Sequence, residues 1–298
     1  MTALPHEGDG PWLTWTGLET DLIFNRGVEL PGFASFPLLA EAETRALLIE
    51  AAQAQIAVAR ASGMGTILEA STWMANPDRA APLGYAPEAL DAINRDAIAA
   101  LSGLRARDVL ISGNVGPRCD PYRGVEEAAP EDAQAYHSPQ LAALAAAGAD
   151  LVTAYTLGDV GEAVGIARAA QAVGLSLVIS FTVETDGRLI SGETLDQAIG
   201  RVDVASGGSV AYFMVNCAHP DHIGPALTGN ARLRGLVVNA SRCSHAELDA
   251  SETLDDGDPV ALGAEVAALL RANPALRVFG GCCGTDMRHL KAMMEALT

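Results

Sequence analysis

The chain has 298 residues, of which 49% are apolar and 19% charged, and 37 acidic against 19 basic side chains give a formal net charge of −18. This composition excludes an intrinsically disordered chain, and the length allows a large buried core. The acidity argues against nucleic acid and anionic membrane surfaces as partners, because phosphate-rich partners are bound by clustered Lys and Arg. We therefore expect small-molecule partners.

The first ten residues carry acids, a proline and glycines, whereas a signal peptide has a basic start and an apolar run. No apolar stretch approaches the roughly 20 residues of a bilayer span, so we expect a cytoplasmic protein. Five cysteines, an odd number, do not suit a disulfide framework, so the cysteines are expected either to bind a metal or to be free thiols. In the sequence, an apolar helix face that contacts a partner subunit resembles one that contacts the core, so the sequence neither predicts nor excludes a homo-oligomer.

Short apolar runs alternate with longer Ala-rich segments at a spacing of about 30 to 40 residues, the length of one βα unit. Eight such units are typical of a (β/α)8 TIM barrel, and we predict a single α/β domain of this kind over residues 1–298. An open doubly wound sheet is the alternative, which periodicity does not separate from a barrel. The predicted strands lie at 13–16, 66–70, 109–112, 151–155, 177–183, 211–215, 236–238 and 278–279.

Three local signals place helix ends between these strands. Gly63 follows one helical pattern and is suited to the left-handed conformation that closes a helix. Asp159 followed by Glu162, and Thr194 followed by Gln197, have the spacing of capping boxes. We therefore predict that one helix ends near Gly63 and that two others begin after Asp159 and Thr194.

Three of the five cysteines follow predicted strands. Cys217 comes after the sixth strand, and Cys282 and Cys283 come after the eighth, so all three fall at the carboxyl end of a barrel, where active sites lie. Three thiolates leave one tetrahedral zinc position open, as in a catalytic zinc site. Adjacent residues of a strand point to opposite faces, so a turn must bring Cys282 and Cys283 together. The alternatives are a buried Cys217 that only packs, and an ordinary loop end or strained disulfide at the pair.

The segment Asn216-Cys217 and the run GGCCGT at 280–285, with His289 shortly after, resemble the zinc motifs of the homocysteine S-methyltransferase family. The resemblance implies a zinc-dependent barrel that moves a methyl group from a sulfonium-type donor to homocysteine or a related thiol or selenol. It further implies that the three cysteines hold Zn²⁺ and that the acceptor reacts as a zinc-bound thiolate. Weaker similarity to the family lies at 17–21, 76–77 and 113–117.

This chemistry is consistent with the residues themselves. The thiolate is the nucleophilic form of a thiol, and a Lewis-acid metal that binds the sulfur favours it at neutral pH. Alkylation by a sulfonium needs no redox or nucleotide cofactor, and the sequence carries neither a G-x-G-x-x-G motif after a strand nor a P-loop. We predict Zn²⁺ as the cofactor and no catalytic residue beyond the activated thiol.

The sequence departs from the family where the amino group of homocysteine is held. The resemblance implies a carboxylate after the first strand and a glutamate at the end of the fourth, but this chain has Trp15 and Tyr155 there. Glu184 and Glu69 lie at the same rim and could replace these two amino-group ligands. The alternative for Glu184 is a solvated loop acid, and the alternative for Glu69 is an ion pair with a nearby arginine at the edge of the core. Asn239 could bind substrate or close a turn. The candidate substrate-binding residues are Glu19, Tyr155, Glu184 and Asn239.

Four further features carry weaker expectations. His289 could bind a metal through its imidazole, but a packing or capping role is favoured. The three thiolates already fill three of the four zinc positions, and the substrate must occupy the fourth. Cys119 and Cys243 receive no role, and the acidic connection 241–259 is either a lid or solvated surface. Two other functions stay open: a zinc-dependent demethylase of a sulfonium compound, and a noncatalytic barrel that retains the metal site.

Overall fold

The eight predicted strands form a closed barrel. In the computed structural model, which describes residues 4–8, 10–122 and 126–297, each strand pairs in parallel with its sequence neighbours, and the last pairs with the first. The TIM-barrel prediction is therefore confirmed, and the ends of the expected domain, 1–3 and 298, lie outside the described residues. The strands are β1 Trp12–Trp15, β2 Gly65–Glu69, β3 Val109–Val115, β4 Leu151–Leu157, β5 Leu177–Thr182, β6 Tyr212–Ala218, β7 Leu233–Val238 and β8 Val278–Gly281.

Helices surround the barrel, but the connection between β6 and β7 carries only a four-residue helix because Pro225 follows closely and prevents its continuation. None of the helices in the described part of the chain combines the length and apolar character that a membrane crossing requires. The helices are α1 Leu18–Thr20, α2 Ala42–Ala61, α3 Pro77–Ala80, α4 Leu90–Ser102, α5 Pro130–Ala146, α6 Val160–Val173, α7 Leu195–Ser206, α8 Pro220–Ile223, α9 His245–Asp249, α10 Pro259–Ala272 and α11 Met287–Leu297.

The strands are buried on both faces, which explains their near-continuous apolar sequences. Every residue of β3 to β6 is buried, because one face packs inside the barrel and the other packs under the helices. Tyr155, Tyr212 and Met214 belong to the cluster inside the barrel, whereas Phe181 and Phe213 belong to the cluster around it. The two clusters fix the strands, and the strand ends in turn position the loops of the rim.

All three predicted helix ends are confirmed, and one of the two predicted capping boxes is complete. Gly63 follows α2 with φ +68°, and Thr194 and Gln197 form a complete capping box at α7. Asp159 caps α6 by accepting from the amide of Glu162 at 2.6 Å, but the reciprocal half of the predicted box is wrong. The carboxylate of Glu162 instead accepts from the amide of Arg118 at 2.6 Å and lies 2.8 Å from a ring nitrogen of His137. At Glu162, hydrogen bonds to residues distant in the sequence therefore replace the local bond of the capping box.

A carboxylic acid lies inside the barrel near its carboxyl end. Oε1 of Glu69 accepts from the hydroxyl of Tyr155 at 3.0 Å and of Thr14 at 3.3 Å, and its buried Oε2 has no hydrogen-bond partner among the described residues. Burial raises the pKa of Glu69 to about 7, although these hydroxyls oppose the shift. Glu69 therefore lies in the barrel core, which favours neither of its predicted roles at the rim.

We expect this acid to make the stability of the protein depend on pH. Between about pH 4.5 and pH 7 the folded protein holds a proton on Glu69 that the unfolded chain releases, so the free energy of unfolding falls as the pH rises. Glu69→Gln should therefore be more stable than the wild type at pH 8, by on the order of 3 kcal/mol, and similar near pH 4.5. Urea unfolding followed by circular dichroism at both pH values measures this difference. The exposed Glu50→Gln should follow the wild type, and parallel pH profiles for Glu69→Gln and wild type would contradict the assignment.

Candidate metal and substrate site

Cys217 is held in an unusual backbone conformation at the carboxyl end of β6. Its φ is +57°, in the left-handed region that residues other than glycine seldom adopt. The pairing of β6 with β7 shifts register between Asn216 and Ala218, so the strand bulges at Cys217. The Cys217 side chain lines a cavity at the barrel mouth, where a strained residue indicates a site rather than ordinary packing.

The buried amide of Asn216 supports this bulge. Its Oδ1 accepts from the amide of Thr156 at 2.9 Å and from the hydroxyl of Ser180 at 2.7 Å, and its Nδ2 donates to Oγ1 of Thr156 at 2.9 Å. Thr156 itself has φ +62°, so one side chain ties together two strained positions on β4 and β6. In the sequence, Asn216 stood out only as part of a motif, and its role depends on residues 36 and 60 positions away.

A tight turn after β8 brings Cys282 and Cys283 to the same site, as predicted. The carbonyl of Cys282 accepts from the amide of Thr285 at 3.1 Å and from its hydroxyl at 2.6 Å, and Gly284 has φ +78°. A Cβ at Gly281 would lie 2.2 Å from Oγ1 of Thr285, so only glycine allows the threonine to close the turn.

The structure brings the three sulfurs together. The Sγ atoms of Cys217 and Cys283 are 3.7 Å apart, and all three Sγ atoms lie within 4.8 Å of one another. Tetrahedral zinc with Zn–S bonds of about 2.3 Å separates its sulfur ligands by roughly 3.8 Å, so this donor set fits zinc. Cys119 and Cys243 are exposed in other loops.

The three thiols differ in their tendency to ionise. Hydrogen bonds from Cys217 and Cys283 lower the pKa of Cys282, because they stabilise its thiolate. The same contacts raise the pKa of Cys217 and of Cys283, whose hydrogens are shared with a neighbouring sulfur. One negative charge is therefore already favoured in the cluster, and a bound cation would favour the remaining two.

The thiols lie at the wall of a cavity of about 480 Å³. Among the described residues, Arg79 is the only Lys or Arg that lines it, so the cavity is acidic. Its aromatic walls also suit a cation, since cations are attracted to the faces of aromatic rings. The acidic lining residues are Glu19, Asp120, Asp249 and Asp255, and the aromatic ones include Phe24, Phe33, Trp73, Tyr122 and Tyr155.

Three of the four predicted substrate-binding residues line this cavity. Glu19 accepts from the hydroxyl of Ser35 at 2.6 Å, and burial raises its pKa. Asn239 is buried, and its Oδ1 has no hydrogen-bond partner within the described chain. Tyr155 also contributes to the wall, whereas Glu184 is not among the described residues that line the cavity.

The acidic connection 241–259 forms one wall of the cavity, a placement that loop length alone left undecided. His245 in α9 stacks on Tyr122 with ring centroids 3.6 Å apart, and Tyr122 itself approaches the Cys217 thiol. His289 is buried and lies with Nε2 2.8 Å from the carbonyl oxygen of Asp256, so it holds this connection in place. The packing role expected for His289 therefore fits its contacts.

Three converging thiols lie beside a cavity at the carboxyl rim of a (β/α)8 barrel. This arrangement defines a barrel enzyme whose active site is built from the loops of that rim. The sequence matches the family model described as homocysteine S-methyltransferase over residues 17–297, and the chain belongs to this family. The protein is a methyltransferase that acts on a thiol.

Known relatives agree with this assignment. The chain is 28% identical over 243 residues to the homocysteine S-methyltransferase of Escherichia coli strain K12, covering 72% of this chain and 76% of that protein. The oxidized form of the homocysteine methyltransferase MmuM from Escherichia coli has the same fold, with a TM-score of 0.76, 23% identity and 98% of each chain covered. Its metallated form matches with a TM-score of 0.73 and 21% identity over 97% of this chain and 96% of that one.

We expect Asn216→Ala to destabilise the protein by about 2–4 kcal/mol, because it removes three buried hydrogen bonds and leaves the Thr156 amide without a partner. Chemical denaturation at fixed pH measures the loss. Asn230→Ala removes two part-buried hydrogen bonds, one to the carboxylate of Asp196 and one from the amide of Arg232; it is the matched control and should cost much less, because those partners are closer to solvent. Equal losses in the two variants would show that the amide does not support the rim.

Proposed function

We propose that this protein is a zinc-dependent S-methyltransferase that moves a methyl group from a sulfonium-type donor to a small thiol, homocysteine or a related thiol or selenol. The observation that carries the proposal is the cluster of Cys217, Cys282 and Cys283, whose sulfurs have zinc-compatible spacing at a cavity wall. Zinc, when bound, supplies a Lewis acid that favours the thiolate of an acceptor in the open position. A relative solved in a metallated form supports a metal in this family.

The cavity offers groups for an acceptor that carries an ammonium. Glu19 is a partly buried carboxylate that accepts a side-chain hydrogen bond from Ser35, and a cationic ligand would stabilise its charged form against the effect of burial. Oδ1 of Asn239 is a second acceptor without a partner among the described residues. We assign the acceptor's ammonium to Glu19 and Asn239, in place of the two positions now held by Trp15 and Tyr155.

The acidic, aromatic lining suits a positively charged donor. Trp73 and Tyr122 provide ring faces, and carboxylates outnumber the single arginine among the described lining residues. In the transfer, the acceptor sulfur forms a bond to the methyl carbon while the carbon bond to the donor sulfur breaks. The donor keeps that electron pair and leaves as a neutral thioether. The residues act by holding both sulfurs in line with the methyl carbon and excluding water.

A second candidate reaction is the demethylation of a sulfonium compound that is not an amino acid, with transfer to a different thiol. It is favoured by Trp15 and Tyr155 in place of carboxylates. A screen that pairs each of several sulfonium donors with thiols that contain or lack an amino group separates the two. Preference for amino-containing thiols supports the first reaction.

We expect the purified protein to bind about one zinc ion per chain, with three protein sulfurs and a fourth sulfur when thiol is added. Serine in place of Cys217, Cys282 or Cys283 should abolish tight binding, because an alcohol is a far poorer zinc ligand than a thiolate. Elemental analysis and zinc-edge absorption spectroscopy measure both. Cys119→Ser and Cys243→Ser are matched controls and should retain the metal. Zinc retained in all three cluster variants would overturn the proposed site.

We expect Glu19→Gln to raise KM for an amino-containing thiol about 10- to 100-fold, since it removes a charge-assisted contact in a cavity with few other anchors. The KM for 3-mercaptopropionate, which has no amino group, should change little. Steady-state methyl transfer with one donor at saturation measures both values. A similar rise for both thiols would indicate that Glu19 only maintains the structure of the cavity.

A further inference from the structure

We infer that Arg79 is a specificity-determining residue of this chain, which binds the carboxylate of an amino-acid substrate in the cavity beside the thiols. The inference rests on the proposed function, because it concerns the ligand of the same cavity. The observations that support it do not involve the thiols. They are the hydrogen bonds that position α3 and the ion pairs that the nearby carboxylates already make.

The backbone of Arg79 is held firmly at the cavity wall. The buried Asn76 caps α3, with its Oδ1 accepting from the amide of Arg79 at 3.2 Å. The hydroxyl of Tyr136 donates to the same Oδ1 at 2.9 Å and accepts from the amide of Asp78 at 3.1 Å. A four-residue helix thereby gains a fixed position, and Arg79 reaches the cavity from it.

The guanidinium of Arg79 has no partner among the described residues, although an acid, Asp78, is its neighbour in the sequence. Its neighbour Asp78 is engaged elsewhere, because that carboxylate accepts from Nε of Arg118 at 2.7 Å. Nε of Arg79 is buried without a hydrogen bond, and the guanidinium makes no ion pair with any described residue. Other arginines of this acidic chain, such as Arg60 and Arg232, pair with aspartates through two nitrogens.

An unpaired guanidinium is chemically specific. Its planar fork of N–H donors matches a carboxylate through two parallel hydrogen bonds, and it always carries its charge. The same cavity presents the carboxylate of Glu19, so one wall residue of each sign is available. An α-amino acid carries the complementary pair, an ammonium and a carboxylate. A ligand without a carboxylate would leave Arg79 unpaired in a partly buried site, which disfavours it.

Equilibrium binding to the zinc-loaded protein tests the inference without requiring turnover. Methionine and 3-(methylthio)propylamine share the thioether and the ammonium but differ in the carboxylate. In isothermal calorimetry the wild type should bind methionine more tightly, and Arg79→Met should weaken methionine binding by about 10- to 100-fold while leaving the amine unchanged. Arg79→Lys should retain part of the preference, since a point charge remains.

The control is Arg95→Met, which removes an exposed guanidinium paired with Asp91 on α4 and should bind both ligands as the wild type does. Equal weakening of both ligands in Arg79→Met, or no change in either, would overturn the inference. Turnover separates the two sources of a carboxylate: a raised KM for homocysteine alone places Arg79 at the acceptor, and a raised KM for a sulfonium amino acid alone places it at the donor.

The outcomes also separate this inference from the proposed function. If the wild type methylates thiols but Arg79→Met binds methionine normally, the carboxylate assignment fails and methyl transfer stands. If methionine binding depends on Arg79 but no thiol is methylated with any sulfonium donor, the carboxylate site stands and the proposed reaction fails.

Discussion

The site depends on a strained bend at the end of β6 that places Cys217 opposite the turn after β8. A non-glycine residue at φ +57° persists only where surrounding contacts hold it, and here the amide of Asn216 supplies them across three strands. Without that bend, the alternation of a regular strand would position Cys217 differently relative to Cys283. The barrel thus provides more than a scaffold, because its hydrogen bonds determine the spacing of the sulfurs.

Charge is the second constraint, and it matters in two places: inside the barrel and in the cavity above it. Inside the barrel, Glu69 is held in a desolvated environment by hydroxyls, and its acid form is favoured there. In the cavity above, carboxylates outnumber the single arginine among the described lining residues, so a cationic ligand is favoured overall while Arg79 provides one position for an anion. The cavity therefore presents groups of both signs to a ligand.

Much of the architecture followed from local patterns. Each of the eight strands was predicted near its observed position, because a sheet buried on both faces requires runs of apolar residues that are visible in a short window. The turn at Cys282 and Cys283 followed from strand geometry and from the glycines beside it. The capping of α6 shows the limit of such reasoning: Asp159 behaves as its spacing predicts, but Glu162 finds partners 25 and 44 residues away.

By itself, the sequence determined the barrel, the family and the end of the barrel at which three thiols lie, because these depend on periodicity, on strand order and on short motifs. Tertiary structure alone decided which polar groups the cavity contains: among the described residues Glu19 and Asn239 line it and Glu184 does not, and the connection 241–259 forms a wall. It also decided that no carboxylate of the described residues pairs with Arg79, since the neighbouring Asp78 pairs with Arg118. The reason is that pairing between charged side chains depends on distances across loops, which no local pattern encodes.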